Sequence, residues 1–84
     1  MEHELKCWPE YFEPLVAGAK HFEYRRDDRG FAVGDRLELR EWDPTTREYT
    51  GRRCLRLVTY VLRGPDVGVP VGFAVLSLRE PLSP

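Results

Sequence analysis

The chain has 84 residues, 42% of them hydrophobic, 12% aromatic and 32% charged, a balance that suits one small globular domain and argues against disorder or a second domain. Thirteen lysines and arginines against fourteen aspartates and glutamates leave a formal net charge of −1, which excludes a polybasic binder held to nucleic acid by bulk charge. A local patch remains open, because eleven of the basic residues are arginines and only Lys6 and Lys20 are lysines, and the guanidinium fork suits carboxylates, phosphates and base edges.

Cys7 and Cys54 each sit in an apolar, strand-like run, so both are expected as small core hydrophobes and not as a disulfide. No apolar run approaches the roughly 20 residues of a membrane span. Met1-Glu2-His3-Glu4 lacks the basic flank and apolar stretch of a signal peptide, so a reducing, cytoplasmic setting is expected.

In chain order, His3 to Trp8 alternates as a first short strand. Pro9 opens a helical turn, and Pro9 to Ala17 reads as one short helix with Phe12, Leu15 and Val16 inward, stopped by Gly18. Pro14 leaves an alternative open, a 3₁₀ turn followed by a second turn, since proline lacks the N–H and crowds the carbonyl four residues back. Lys20 to Arg25 alternates as a strand, with Phe22 and Tyr24 on one face and His21, Glu23 and Arg25 on the other. Asp27 to Gly30 and Val33-Gly34-Asp35 are turns. Arg36 to Trp42 is a strand with Leu37 and Leu39 on one face, followed by a turn at Asp43 to Thr46 that continues irregularly to Gly51. Arg53 to Leu62 is the longest strand, apolar on both faces, and is therefore expected at the centre and covered twice. A Gly/Pro-rich loop over 64–70 leads to a final strand from Gly72 to Arg79 and a tail over 81–84. So small a chain cannot cover an open sheet, so the expected fold is a single mainly β (α+β) domain. It is a small barrel of about five strands, with one short N-terminal helix and a core over 3–80.

Three constellations are chemically suggestive. Lys20, Glu23 and Arg25 follow the helix end, where the partial negative charge favours a cation, and Glu23 and Arg25 share a strand face. They are either a cleft or a solvated ion-pair ladder. Glu41 falls in register with Leu37 and Leu39, so it is either at a frayed strand end or buried and paired with Arg25 or Lys20. The stretch from Trp42 to Arg53 mixes Trp42, Tyr49, Thr50, Arg52 and Arg53 in a presumed loop. It is either a solvated hairpin with Tyr49 tucked on the core, or a surface whose rings stack bases while its arginines take phosphates. His3 and His21 have no ligand spacing with either cysteine, so neither a metal nor a cofactor is expected. No serine has a nucleophile's setting and no Gly-rich phosphate loop precedes a helix.

Gly18-x-Lys20-x-x-Glu23-x-Arg25, followed by Gly34-Asp35 and an alternating strand, resembles the ASCH domain of the PUA-like superfamily. His3-x-Leu5-Lys6, Phe12, Asp28-Arg29, Arg40-Glu41-Trp42, Tyr49-Thr50-Gly51-Arg52 and Val58-Thr59-Tyr60 are similar to a compact bacterial and phage branch of it, of unknown function. The resemblance spans residues 3 to 80. It implies a β-barrel with a helix beside it, a cleft where lysine, glutamate and arginine converge, and RNA-linked roles. One ASCH branch deacetylates a modified cytidine with a lysine, a threonine three residues later and a more distant glutamate. Lys20 matches that lysine, but Glu23 stands at the threonine position.

The leading expectation is a module that binds RNA or a modified nucleotide. Arg25, Arg29, Arg52 and Arg53 would meet phosphate, while Lys20, Glu23 and Glu41 would read a base edge. Trp42, Tyr49 and Thr50 would complete the surface. The alternative is a small amidohydrolase-like enzyme acting on a modified nucleoside with Lys20, Glu23 and Glu41. A third reading, a protein-interaction module, expects an exposed apolar patch and no polar cleft.

Overall fold

The computed structural model describes residues 1–81; of the expected tail, 82–84 lie outside the described residues. Strand β1 (Glu2–Cys7) is followed by helix α1 (Pro9–Val16), then β2 (Phe22–Arg26), β3 (Arg36–Asp43), β4 (Glu48–Arg63), a 3₁₀ turn (Asp66–Gly68) and β5 (Phe73–Arg79). The five strands form one sheet in the order β1-β3-β4-β5-β2. β1 runs parallel to β3, and the other neighbours are antiparallel.

The sheet curls into a half-barrel, and its inner face carries the core. Alternation puts Leu5 and Cys7 of β1, Leu37 and Leu39 of β3, and Ala74, Leu76 and Leu78 of β5 inward, all buried. Phe12 and Leu15 of α1 and Phe31 of the β2–β3 connection complete the packing. At one end of the core, the Asp35 carboxylate accepts from the Ala32 N–H at 3.0 Å and lies 2.9 Å from His3 Nε2, whose ring meets Phe31 edge to face at 4.9 Å.

Helix α1 is a single piece, so Pro14 does not split it. Only the bond to the Glu10 carbonyl is lost, and both ends are tied. Tyr11 and Phe12 donate to the Trp8 carbonyl, while Gly18 donates to Leu15 and Ala19 to Pro14. These last two bonds are the paired closure that a left-handed residue after the helix allows, and Gly18 supplies it at φ 78°. Arg56 Nη2 adds a charged donor to the Leu15 carbonyl at 2.9 Å. Val16, expected inward, is 46% exposed, because the eight-residue helix is anchored through Phe12 and Leu15 alone.

β4 departs most from expectation. It begins at Glu48, so Tyr49-Thr50-Gly51 are strand and not loop, with Trp42 opposite Tyr49. It is central in strand order but is not covered twice. Val58 is its one buried residue, and Leu55 and Tyr60 are 51% and 60% exposed. The helix lies inside the curl, and among the described residues no other element covers the convex side. A register shift between Val58 and Tyr60 turns both Val58 and Val61 toward the core, which produces the run that reads as apolar on both faces.

Candidate functional site

β1 and β2 are the two edges of the sheet, and the curl brings them to face each other. They do not pair as strands. Instead the Arg25 guanidinium of β2 donates to the Lys6 carbonyl, and Arg29 Nη1 donates to the Glu4 carbonyl at 2.9 Å. Between these edges and the first turns of α1 lies a cavity of about 560 Å³.

Its floor is polar. Glu23 is 4% exposed, and each of its carboxylate oxygens accepts from a different cation, Oε1 from Lys20 Nζ at 2.7 Å and Oε2 from Arg25 Nε at 3.0 Å. Cys7 lies beside them, also buried. Burial and then the Glu23 charge push its thiol up to about 11, against the opposing pull of Lys20 and Arg25. The thiol is therefore protonated near neutrality and inert as a nucleophile. Burial also raises Cys54, on β4, and Arg56 opposes the shift.

The walls are aromatic. Trp8, Tyr11, Phe22 and Tyr24 surround the opening, and Lys6 stands at the rim. Lys20 Nζ lies 5.1 Å from the Phe22 ring centre and 5.7 Å from that of Tyr11, within range of a cation–π attraction. The alternation of β2 places the apolar rings outward and Glu23 inward, the reverse of the usual half-buried strand. An edge strand beside a cavity permits this, because the rings lean over the seam instead of entering the core.

The expected site residues fall into separate groups. Lys20, Glu23 and Arg25 converge on the cavity, so the solvated ladder is excluded. Glu41 is 4% exposed within β3, so it is not frayed. Its partners, however, are not Arg25 or Lys20. Like Leu37 and Leu39 it faces inward by alternation, and the register shift between Arg40 and Trp42 brings Thr50 of β4 beside it, so that it accepts from Thr50 Oγ1 at 2.7 Å, with Arg52 Nη1 at 3.8 Å. Arg52 also pairs with Glu13 of α1 and lies over the Phe12 ring, so this group joins the helix to β4 and does not line the cavity.

Trp42 and Tyr49 meet edge to face at 4.9 Å on the convex side, and Tyr49 is not tucked on the core. Lys6 Nζ lies 3.9 Å from the Trp42 ring centre and the Arg40 guanidinium 4.2 Å from that of Tyr49, so ring surface that a base would need is already occupied. Arg53 pairs with Glu38 at 3.3 Å on the same side, and Arg29 is spent on the seam. The cavity walls Trp8, Tyr11, Phe22 and Tyr24 are absent from the expected site. The signal was present in the interleaving of Phe22 and Tyr24 with Glu23 and Arg25, which leaves one set of side chains without a core to enter.

Among the described residues no group of three or more His, Cys, Asp or Glu is arranged to hold a metal ion, and no helix is long and apolar enough to cross a membrane. The chain is similar to a protein of Escherichia phage P2 described as an uncharacterized 12.9 kDa protein in the GpA 3′ region, with 37% identity over 59 residues. The match covers 70% of this chain and 52% of the phage protein, so the chain corresponds to about half of that relative. A family model, domain of unknown function DUF3850, matches residues 2–78. Across nearly its whole length, then, the chain belongs to the DUF3850 family.

Proposed function

We propose that the chain is a binding module for RNA or a modified nucleotide, on a PUA-like fold of the ASCH type, with the seam cavity taking one base. The cavity is the observation that carries this reading. Its volume of about 560 Å³ is that of a small-molecule pocket, and its rings offer π-faces to a flat heterocycle. On the floor, Lys20 has three N–H donors and spends one on Glu23, while the Glu23 carboxylate keeps unused lone pairs. A donor beside an acceptor matches a base edge that presents a ring nitrogen or carbonyl next to an exocyclic amino group.

The test is titration of ribonucleoside monophosphates and short single-stranded RNAs at low salt, followed by tryptophan fluorescence and amide chemical shifts. Saturable shifts centred on Trp8, Phe22 and Tyr24, lost in Lys20→Ala and weakened by added salt for the RNAs, are expected. No saturable change with any of these probes, or binding indifferent to Lys20→Ala, would sink the proposal.

The Lys20–Glu23 pair facing an open cavity also supports a second reading, hydrolysis of an acylated nucleoside. Lys20 and Glu23 would serve as the acid–base pair, with water as nucleophile, since no hydroxyl stands at the Glu23 position. Glu41 is engaged by Thr50 and lies outside the cavity lining. Release of acetate from N4-acetylcytidine, abolished by Lys20→Ala, decides for this reading; binding without turnover decides against it.

A further inference from the structure

The convex face of the sheet is divided. On the β1–β3 side, charges neutralise one another: Arg40 pairs with Glu4 at 3.2 Å and Arg53 with Glu38 at 3.3 Å. The other side, made by β2, β5 and the C-terminal part of β4, is aromatic, and these strands place no carboxylate on it among the described residues. Phe22, Tyr24 and Tyr60 are 48%, 51% and 60% exposed there. Tyr24 stacks on Phe73 with ring centres 5.5 Å apart, and Arg26 covers Phe73 at 5.3 Å. Register places the exposed Arg79 opposite Leu57 on this same face.

We infer that this face is a track for single-stranded nucleic acid leading into the seam cavity. The inference rests on reading that cavity as a nucleotide pocket. Phe22 and Tyr24 belong to both surfaces: they wall the cavity and open onto the convex face. A strand with one base in the cavity therefore has its neighbours directed toward the exposed Tyr24 and Tyr60, while Phe73, held by Tyr24 and Arg26, backs the Tyr24 ring. Tyr24 and Tyr60 stand on β2 and β4 with β5 between them, so the two rings meet separate bases, and stacking accepts any base. The cations at the ends of the patch, Arg26 and Arg79, pair with no carboxylate among the described residues and are placed to face phosphate. A second copy of the chain offers them the opposite of what they need, since a two-fold pairing of this face would bring arginines to arginines with no acid between. A duplex, whose bases are already stacked, has no exposed faces for the rings.

The experiment uses the full chain and two probes, a short fluorescein-labelled mixed-sequence single-stranded RNA and cytidine 5′-monophosphate. The variants are Tyr60→Ala, which does not line the cavity, and Arg26→Glu with Arg79→Glu, both at exposed positions that leave the core untouched. Loss of the Tyr60 ring is expected to weaken RNA binding roughly ten-fold with cytidine 5′-monophosphate binding unchanged. The charge reversals are expected to flatten the salt dependence. The same RNA as a duplex should not compete. Unchanged RNA affinity in both the Tyr60→Ala and the charge-reversed variants overturns the track, as does a wild-type chain that binds the monophosphate but no RNA. A concentration-dependent dimer in analytical ultracentrifugation, abolished by Tyr60→Ala, overturns it in favour of a second copy. Failure of both probes removes the cavity reading itself, an outcome distinct from loss of the RNA alone.

Discussion

Replacing Glu23 with glutamine removes the charge at the centre of the site while keeping its shape. Lys20 and Arg25 then lose the acceptor they share, with their side chains only 15% and 24% exposed. Removing one partner from a fully buried ion pair costs about 3–5 kcal/mol, because the remaining charge stays desolvated. Both cations here still touch water and the amide oxygen can satisfy one of them, so the expected cost is about 2 kcal/mol. In a domain of this size that is a fall in Tm of roughly 8–16 °C. Thermal and urea melts monitored by near-ultraviolet circular dichroism measure it directly. A double-mutant cycle with Lys20→Met isolates the pair, and in the Glu23→Gln background the lysine change should cost about 1 kcal/mol less than in the wild type. A loss below about 0.5 kcal/mol, the level of an exposed ion pair, would refute the argument that the floor is a buried clamp.

Other expectations follow from the same geometry. Burial raises the Asp35 pKa, but hydrogen bonds from His3, the Ala32 N–H and the terminal amine outweigh it and hold the carboxyl below its ordinary 3.8. A carboxylate with a depressed folded pKa stabilises the fold above the unfolded value, and that stability disappears as pH falls through the folded pKa. The wild-type stability curve should therefore decline below about pH 4 more steeply than that of Asp35→Asn; parallel acid limbs in urea melts would show the network to be inert. Cys7 should resist iodoacetamide at neutral pH in the native state and react on unfolding, as peptide mass mapping would reveal. Rapid native labelling would contradict both its burial and its raised pKa. Gly18→Ala meets no steric obstacle but must hold φ 78°, and should cost about 1 kcal/mol. At Gly64 an added Cβ would lie 1.9 Å from the Pro70 carbonyl oxygen, so Gly64→Ala should destabilise considerably more than Gly18→Ala, a ranking that comparative melts can reverse or uphold.

Much of the fold is legible in the chain because local chemistry dictates it. The helix stop at Gly18, the turn at Gly34-Asp35 and the inward leucines of β3 and β5 follow from conformational preference and two-residue alternation. The convergence of Lys20, Glu23 and Arg25 is legible for the same reason, since their spacing brings them together just beyond a helix end. The extension of β4 back to Glu48 is not. Gly51 and the polar residues around it mark a loop by composition, and only cross-strand pairing with β3 makes them strand. The partners of Glu41 depend on a bulge, in which β4 spends two residues more than β3 between paired positions, and local pattern does not announce it.

What the sequence determines by itself is which residues share a face. Which face is inside is decided by the curl of the sheet. Phe22 and Tyr24 resemble core residues until the curl brings β1 and β2 together and leaves a seam between them. There the aromatic side becomes the wall of a cavity and Glu23 goes inward with its two cations. A net charge of −1 conceals the same division. Acidic and basic residues neutralise each other across β1, β3 and the start of β4, while on the β2–β5 face the charged side chains among the described residues are arginines. Alternation is a property of neighbours in the chain; closure and charge segregation arise from strands distant in sequence, and tertiary structure alone brings those together.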